Sequence, residues 1–126
     1  GRVLVSPEWS NDGRFVLGFQ RAEKGRAGPI YICPRGTDAC EKLTDGYTPS
    51  WSKDNSVVYF LRPGQLPDGA ELWVISRTGS DEKRIANLRP MSPINHRYDV
   101  SARGEIAYVR FDAGEDELWL TDLPRN

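Results

Sequence analysis

Among its 126 residues the chain has one histidine, one methionine and two cysteines, and its 17 basic and 18 acidic side chains nearly cancel. Each scarcity excludes something. Without a basic surplus the chain lacks the footprint of a nucleic-acid-binding module, which gathers positive charge on one face. No apolar run approaches the roughly 18 residues needed to cross a bilayer as a helix, so no membrane insertion of this segment is expected. No charged-then-apolar leader opens the sequence, so any signal peptide is expected to have been removed or never to have existed. His96 has no Cys or Glu at metal spacing beside it. There is no G-x-S-x-G elbow, no H-E-x-x-H pair and no glycine-rich loop between a strand and a helix. Neither catalysis nor a cofactor is expected within these residues, and no metal site. The cluster Asp112, Glu115, Asp116 and Glu117 lacks the alternating oxygens and glycine of a calcium loop. Apolar residues at helical spacing are also missing.

What remains is a chain built for short strands. Hydrophobic residues make up 38%, with four Trp, five Tyr and four Phe, enough for a packed core. Twelve Gly and nine Pro are scattered rather than clustered, which implies many turns. The dominant signal is a period of about forty residues, and such a period decides the fold before any single motif does. Trp9-Ser10-Asn11-Asp12-Gly13 recurs 42 residues later as Trp51-Ser52-Lys53-Asp54-Asn55, and a looser copy is Val100-Ser101-Ala102-Arg103-Gly104. Each copy leads into an apolar run, at 15–19, 57–61 and 106–109. A second run follows each, centred on Tyr31, Trp73 and Trp119. Glu41-Lys42-Leu43-Thr44 and Lys83-Arg84-Ile85-Ala86 close the first two units. The runs are rich in Val, Ile, Phe, Tyr and Trp, which suit a pleated, half-buried surface. Asn-Asp-Gly, Asp-Asn and the Gly-containing stretches 34–38 and 77–81 read as tight turns between them. Each unit is therefore a four-stranded antiparallel meander.

A repeated meander of that size is the blade of a β-propeller. Ser-Pro-Glu-Trp-Ser-Asn-Asp-Gly at 6–13 and Thr-Pro-Ser-Trp-Ser-Lys-Asp-Asn at 48–55 resemble the P-x-W-S-P-D-G signature of TolB-like, WD-repeat-like propeller blades. The signature Pro is Asn11 in the first copy and Lys53 in the second, and Asn55 replaces the Gly. The fold expected is all-β, with three blades at 6–46, 47–89 and 90–126. The last lacks its own fourth strand, and 1–5 is a strand that completes a last blade. Three blades do not close a ring. They form either part of a propeller of six to eight blades or a half-propeller that associates with a second copy.

Trp9, Trp51, Tyr31, Trp73 and Trp119 are read as packing residues, with each Trp of the signature on the innermost strand where blades meet. Burying one such Trp is worth about 2–3 kcal/mol. Asp12 and Asp54 should accept backbone N–H bonds and fix the hairpin that follows. Loops after the second and fourth strands emerge on one face: a basic one at 20–29, one at 62–70, an acidic one at 112–117, and those at 45–48 and 89–97. Arg21, Lys24, Arg26, Tyr47, Arg89, Asn95, His96 and Arg97 are the candidate binding residues of that rim, with Met91 beside them. Ordinary solvated loops are the competing reading. Cys33 and Cys40 flank a hairpin and could form a bridge, which would point to an oxidising periplasm or exterior; two unpaired thiols in a cytosolic protein is the alternative.

The resemblance implies a non-catalytic module for protein–protein interaction or sensing, with bacterial, envelope-associated relatives. The alternative is the substrate-filtering propeller of a prolyl-oligopeptidase-type serine peptidase, whose nucleophile would lie outside these residues.

Overall fold

The computed structural model describes residues 5–20, 27–65, 69–91, 97–112 and 114–122. They form ten antiparallel strands and no helix. The first unit runs β1 (Val5–Trp9), β2 (Phe15–Phe19), β3 (Gly28–Pro34) and the start of β4 (Glu41–Trp51). The second is the end of β4 with β5 (Val57–Pro63), β6 (Ala70–Ser76) and β7 (Lys83–Leu88). The third is β8 (Tyr98–Val100), β9 (Glu105–Asp112) and β10 (Glu115–Asp122). Strands β1 to β7 are hydrogen-bonded in sequence order, and β8, β9 and β10 form a separate sheet. Of the expected 1–5 strand, Val5 opens β1 and pairs with Phe19, while 1–4 lie outside the described residues.

The long β4 belongs to two units. Its first half pairs with β3, ending at Gly46 opposite Gly28, and its second half pairs with β5 from Tyr47 opposite Leu61. The exchange of partners needs glycine, because a Cβ on Gly46 would lie 2.5 Å from the Phe60 ring and 2.9 Å from the Leu61 carbonyl. Between β7 and β8 the same connection is broken. Pro90 has no N–H to give a ladder, and among the described residues an isolated bridge joins Met91 to Arg110.

The turns repeat one chemistry. In the first unit Ser10 Oγ donates to Asp12 at 2.7 Å, and Asp12 accepts the Arg14 N–H at 3.0 Å. Ser52, Asp54 and Ser56 reproduce this at 2.8 and 3.0 Å. Asn55 adopts a φ of 60°, the left-handed conformation that a Gly would otherwise supply. Ser56 and Ser52 hold the Asp54 carboxyl down to about 2. The β3–β4 turn is closed by a Cys33–Cys40 disulfide.

Two cores lie between the units rather than within them. Leu17 and Ile30 of the first unit meet Trp51, Val58, Phe60 and Ile75 of the second. Leu61, Leu72 and Leu88 of the second meet Val100, Ile106 and Tyr108 of the third. Trp51 is the wedge of the first junction, 6% exposed. Its indole N–H donates to the Glu8 carbonyl and its backbone N–H to the Glu8 carboxylate, both at 3.0 Å. At the second junction the Tyr98 hydroxyl donates to the Thr48 carbonyl at 2.7 Å. Its burial holds the phenol well above its usual range. Trp9, expected to be buried in the same way, is 56% exposed. The reason is its position in the row: among the described residues no other unit lies over the face of β1 that corresponds to the covered face of Trp51.

Three outcomes check this description. Trp51→Ala should cost about 3–5 kcal/mol of unfolding free energy in a denaturant titration, whereas a loss below about 1 kcal/mol would contradict the wedge. The Asp54 carboxyl, followed by NMR, should titrate near 2, and a midpoint at the ordinary 3.8 would contradict the turn. The sign follows: the ionised group's contribution is complete above 3.8 and is lost as pH falls toward 2, so Asp54→Asn should flatten the acid limb of the stability curve there. Without reductant, denatured protein should show no titratable thiol, and replacing both cysteines by Ser should cost about 2 kcal/mol in the chain-entropy view; two titratable thiols would contradict the bridge.

Candidate functional site

Strand reversal places the β5–β6 connection and the end of β7 on one side of the second unit, the side on which the rim residues were expected. The β6–β7 ladder sets Glu71 opposite Asn87 and Trp73 opposite Arg84. The connection is pinched where the Gly64 N–H donates to the Gly69 carbonyl at 3.2 Å, and a Cβ on Gly64 would press to 3.0 Å of the Gly69 backbone. Beside this pinch lies an open cavity of about 490 Å³, walled by Gln65, Glu71, Arg84, Asn87 and Arg89.

Glu71 is nearly buried, its side chain 14% exposed. One carboxylate oxygen accepts the Trp73 indole N–H at 3.0 Å, and the other accepts Arg84 Nη1 at 3.3 Å. Glu71, the one carboxylate of the wall among the described residues, is thus occupied on both oxygens. Two guanidinium groups and two carboxamides line the rest, so among the described residues the wall is rich in N–H donors and carries a net positive charge. Such a wall suits a carboxylate, which guanidinium and amide N–H groups bind by charge-assisted hydrogen bonds.

Beneath it the Arg62 guanidinium lies 4.2 Å from the centre of the Trp73 ring and 5.0 Å from that of Phe60. Its Nη2 donates to Glu82 at 2.6 Å and to Thr44 Oγ1 at 3.0 Å, and its Nε to the Asp45 carbonyl at 2.9 Å. Thr44 also donates to Glu82. Arg62 therefore ties the first unit's closing strand to the second unit. The third unit repeats the stack, with Arg110 at 4.1 Å over Trp119 and the Trp119 indole donating to Glu117. Arg110 Nε is buried without a partner among the described residues. Sequence reasoning missed both arginines, although Glu71-Leu72-Trp73 and Glu117-Leu118-Trp119 are a repeated signal.

The expected rim residues separate into three groups. Arg89 borders the cavity, and Arg97 is exposed just before β8. Tyr47 packs against the second core, and burial raises its phenol to about 12, so it remains a protonated packing residue. Met91, expected at the channel mouth, is buried in that same core. Arg21, Lys24, Arg26, Asn95 and His96 lie outside the described residues. The acidic loop expected at 112–117 is a strand for most of its length. Gly114, at φ 81°, makes a tight turn that pairs Asp112 with Glu115, so Glu115, Asp116 and Glu117 belong to β10. Among the described residues no three His, Cys, Asp or Glu side chains gather into a metal site, and no helix is long and apolar enough to cross a membrane.

No protein-family model matches the chain, and no curated protein does. Solved structures do. The β-propeller domain of the trilobed protease from Pyrococcus furiosus, with its open velcro topology, matches with a TM-score of 0.63 at 18% identity, over 94% of this chain and 38% of that one. TolB from Acinetobacter baumannii matches with a TM-score of 0.55 at 16% identity, over 97% of this chain and 41% of that one. The chain thus spans about two fifths of each neighbour's length, and at these identities the likeness is one of fold. The units are blades, and the fold is that of a β-propeller.

Proposed function

We propose that the chain is a non-catalytic propeller module that binds a protein partner, for interaction or sensing, through the rim of one face. The observation that carries this reading is the cavity beside Arg89. It sits at loop ends on a sheet, where recognition is commonly placed, and Glu71, its one carboxylate among the described residues, is already occupied. Its donors suit an acidic segment of that partner. The Cys33–Cys40 bridge suits an oxidising compartment, so the setting proposed is periplasmic or secreted. A substrate filter beside a separate hydrolase domain is the alternative role, and it would use the same fold.

The test is fluorescence anisotropy with a labelled Asp/Glu-rich peptide and its Lys-rich counterpart. The acidic peptide should bind more tightly, and Arg89→Glu should weaken it at least tenfold. Arg103→Glu, in an exposed turn on the opposite face, should leave it unchanged. Equal affinity for the two peptides, or an Arg89→Glu affinity equal to the unaltered chain's, would overturn the assignment of the rim.

A further inference from the structure

On the face opposite the rim, three exposed arginines from three turns and two blades close on one point, the β1–β2 turn at Asp12 and Gly13. Arg14 belongs to that turn, and its Nε lies 3.9 Å from an Asp12 carboxylate oxygen, with 78% of the arginine side chain exposed. Arg35 comes from the β3–β4 turn, and its N–H donates to the Arg14 carbonyl at 2.8 Å, which ties the two turns together. Its Nη1 lies 4.0 Å from where a Cβ on Gly13 would stand. Arg77 comes from the β6–β7 turn of the next blade, where its N–H donates to the Ser56 carbonyl at 3.2 Å. Its guanidinium reaches back across the blade boundary to 5.7 Å from the centre of the Phe15 ring. The Ser10 hydroxyl and the Arg14 N–H hold the Asp12 carboxyl below its ordinary value, and the charges of Arg14 and Arg77 add to this.

These guanidinium groups are barely committed to the protein. One Asp12 oxygen already accepts Ser10 Oγ and the Arg14 N–H, and the other stands beyond hydrogen-bond length from Arg14 Nε. Among the described residues Arg35 and Arg77 make no ion pair and no side-chain hydrogen bond, even with Asp38, Asp54 or Asp81 of the neighbouring turns. Asp54 is itself held by Ser52 and Ser56. Three like charges gathered at one exposed turn repel one another, and an anion with several oxygens would relieve that repulsion. We propose that this turn is a second binding site, distinct from the rim, for a phosphate monoester. Such a group presents three terminal oxygens, and guanidinium groups bind them through charge-assisted N–H bonds. Its charge of about −1.5 to −2 at neutral pH matches three guanidinium groups set against the one carboxylate of the turn. A carboxylate, with two oxygens and a single charge, would leave one arginine unsatisfied. The ligand would also bridge the first junction, because Arg77 comes from the second blade and its two companions from the first.

An NMR titration with inorganic phosphate, read on the arginine Nε–H signals, tests this separately from the rim. The signals of Arg14, Arg35 and Arg77 should shift together and saturate, whereas chloride at the same ionic strength should give no saturating shift. Arg35→Gln and Arg77→Gln should each weaken binding by at least about fivefold. Arg103→Gln, in another exposed turn of the same face, and Arg89→Gln at the rim should leave it unchanged. Vesicles containing phosphatidic acid, set against phosphatidylcholine alone, then identify the source of the monoester. Co-sedimentation that Arg77→Gln abolishes assigns it to a lipid headgroup, and no co-sedimentation beside a saturable titration assigns it to a soluble compound. Phosphate shifts that stay as linear as those of chloride would overturn the proposal. So would a loss of binding in Arg103→Gln equal to that in Arg77→Gln.

Discussion

The structure depends on one constraint, the burial of Trp51 between two sheets. A four-stranded antiparallel blade of Val, Ile, Leu and aromatic residues has two apolar faces, and it cannot cover both by itself. Trp51 answers this by belonging to one blade and filling the face of another, with both its N–H groups satisfied by Glu8 of the preceding innermost strand. Its hydrogen bonds matter because an unpaired indole or amide N–H at such a depth would offset much of the gain from burial. Blades are therefore stable as neighbours.

The second junction reaches the same end by other means. Val100 stands where Trp51 stood, and the volume is made up by Met91 and Tyr108, with Tyr98 bonded to Thr48 in place of the indole–carbonyl link. Arg62 reinforces the first junction from the outer side, turning a charged residue into a tie between blades by stacking it on Trp73 and satisfying it with Glu82, Thr44 and Asp45. With the apolar residues committed to the junctions, the loops at the rim are left to carry charge. The cavity beside Arg89 is a product of that division of labour.

Much of this was legible in the sequence, because repetition reports spatial equivalence directly. Two copies of Trp-Ser-x-Asp set the period, the turns and the Asp hydrogen bonds, and the spacing of Cys33 and Cys40 across a hairpin allowed their bridge. What was not legible depends on neighbours. Trp9 and Trp51 have the same local sequence, yet one is exposed and the other buried, since burial is decided by the blade that lies on top. Met91 sat in a stretch rich in Pro and polar residues, so it was assigned to the rim, although tertiary packing draws it into the core. The acidic run at 115–117 looked like a loop because charge is usual in loops; on an uncovered edge strand, charge is equally at home. The stretch 45–48, expected as a loop, lies inside β4, which changes its hydrogen-bonding partner at Gly46 without breaking, and that continuity was not marked in the sequence.

If burial between blades is the organising interaction, the first two blades should open as one unit. Native-state hydrogen exchange measures this directly, residue by residue. The amides of β2 and β3 should exchange with the same opening free energy as those of β5 and β6, equal to that of global unfolding. Release of β2 and β3 at a markedly lower free energy, with β5 and β6 still protected, would show that the blades fold as independent sheets and would contradict the account.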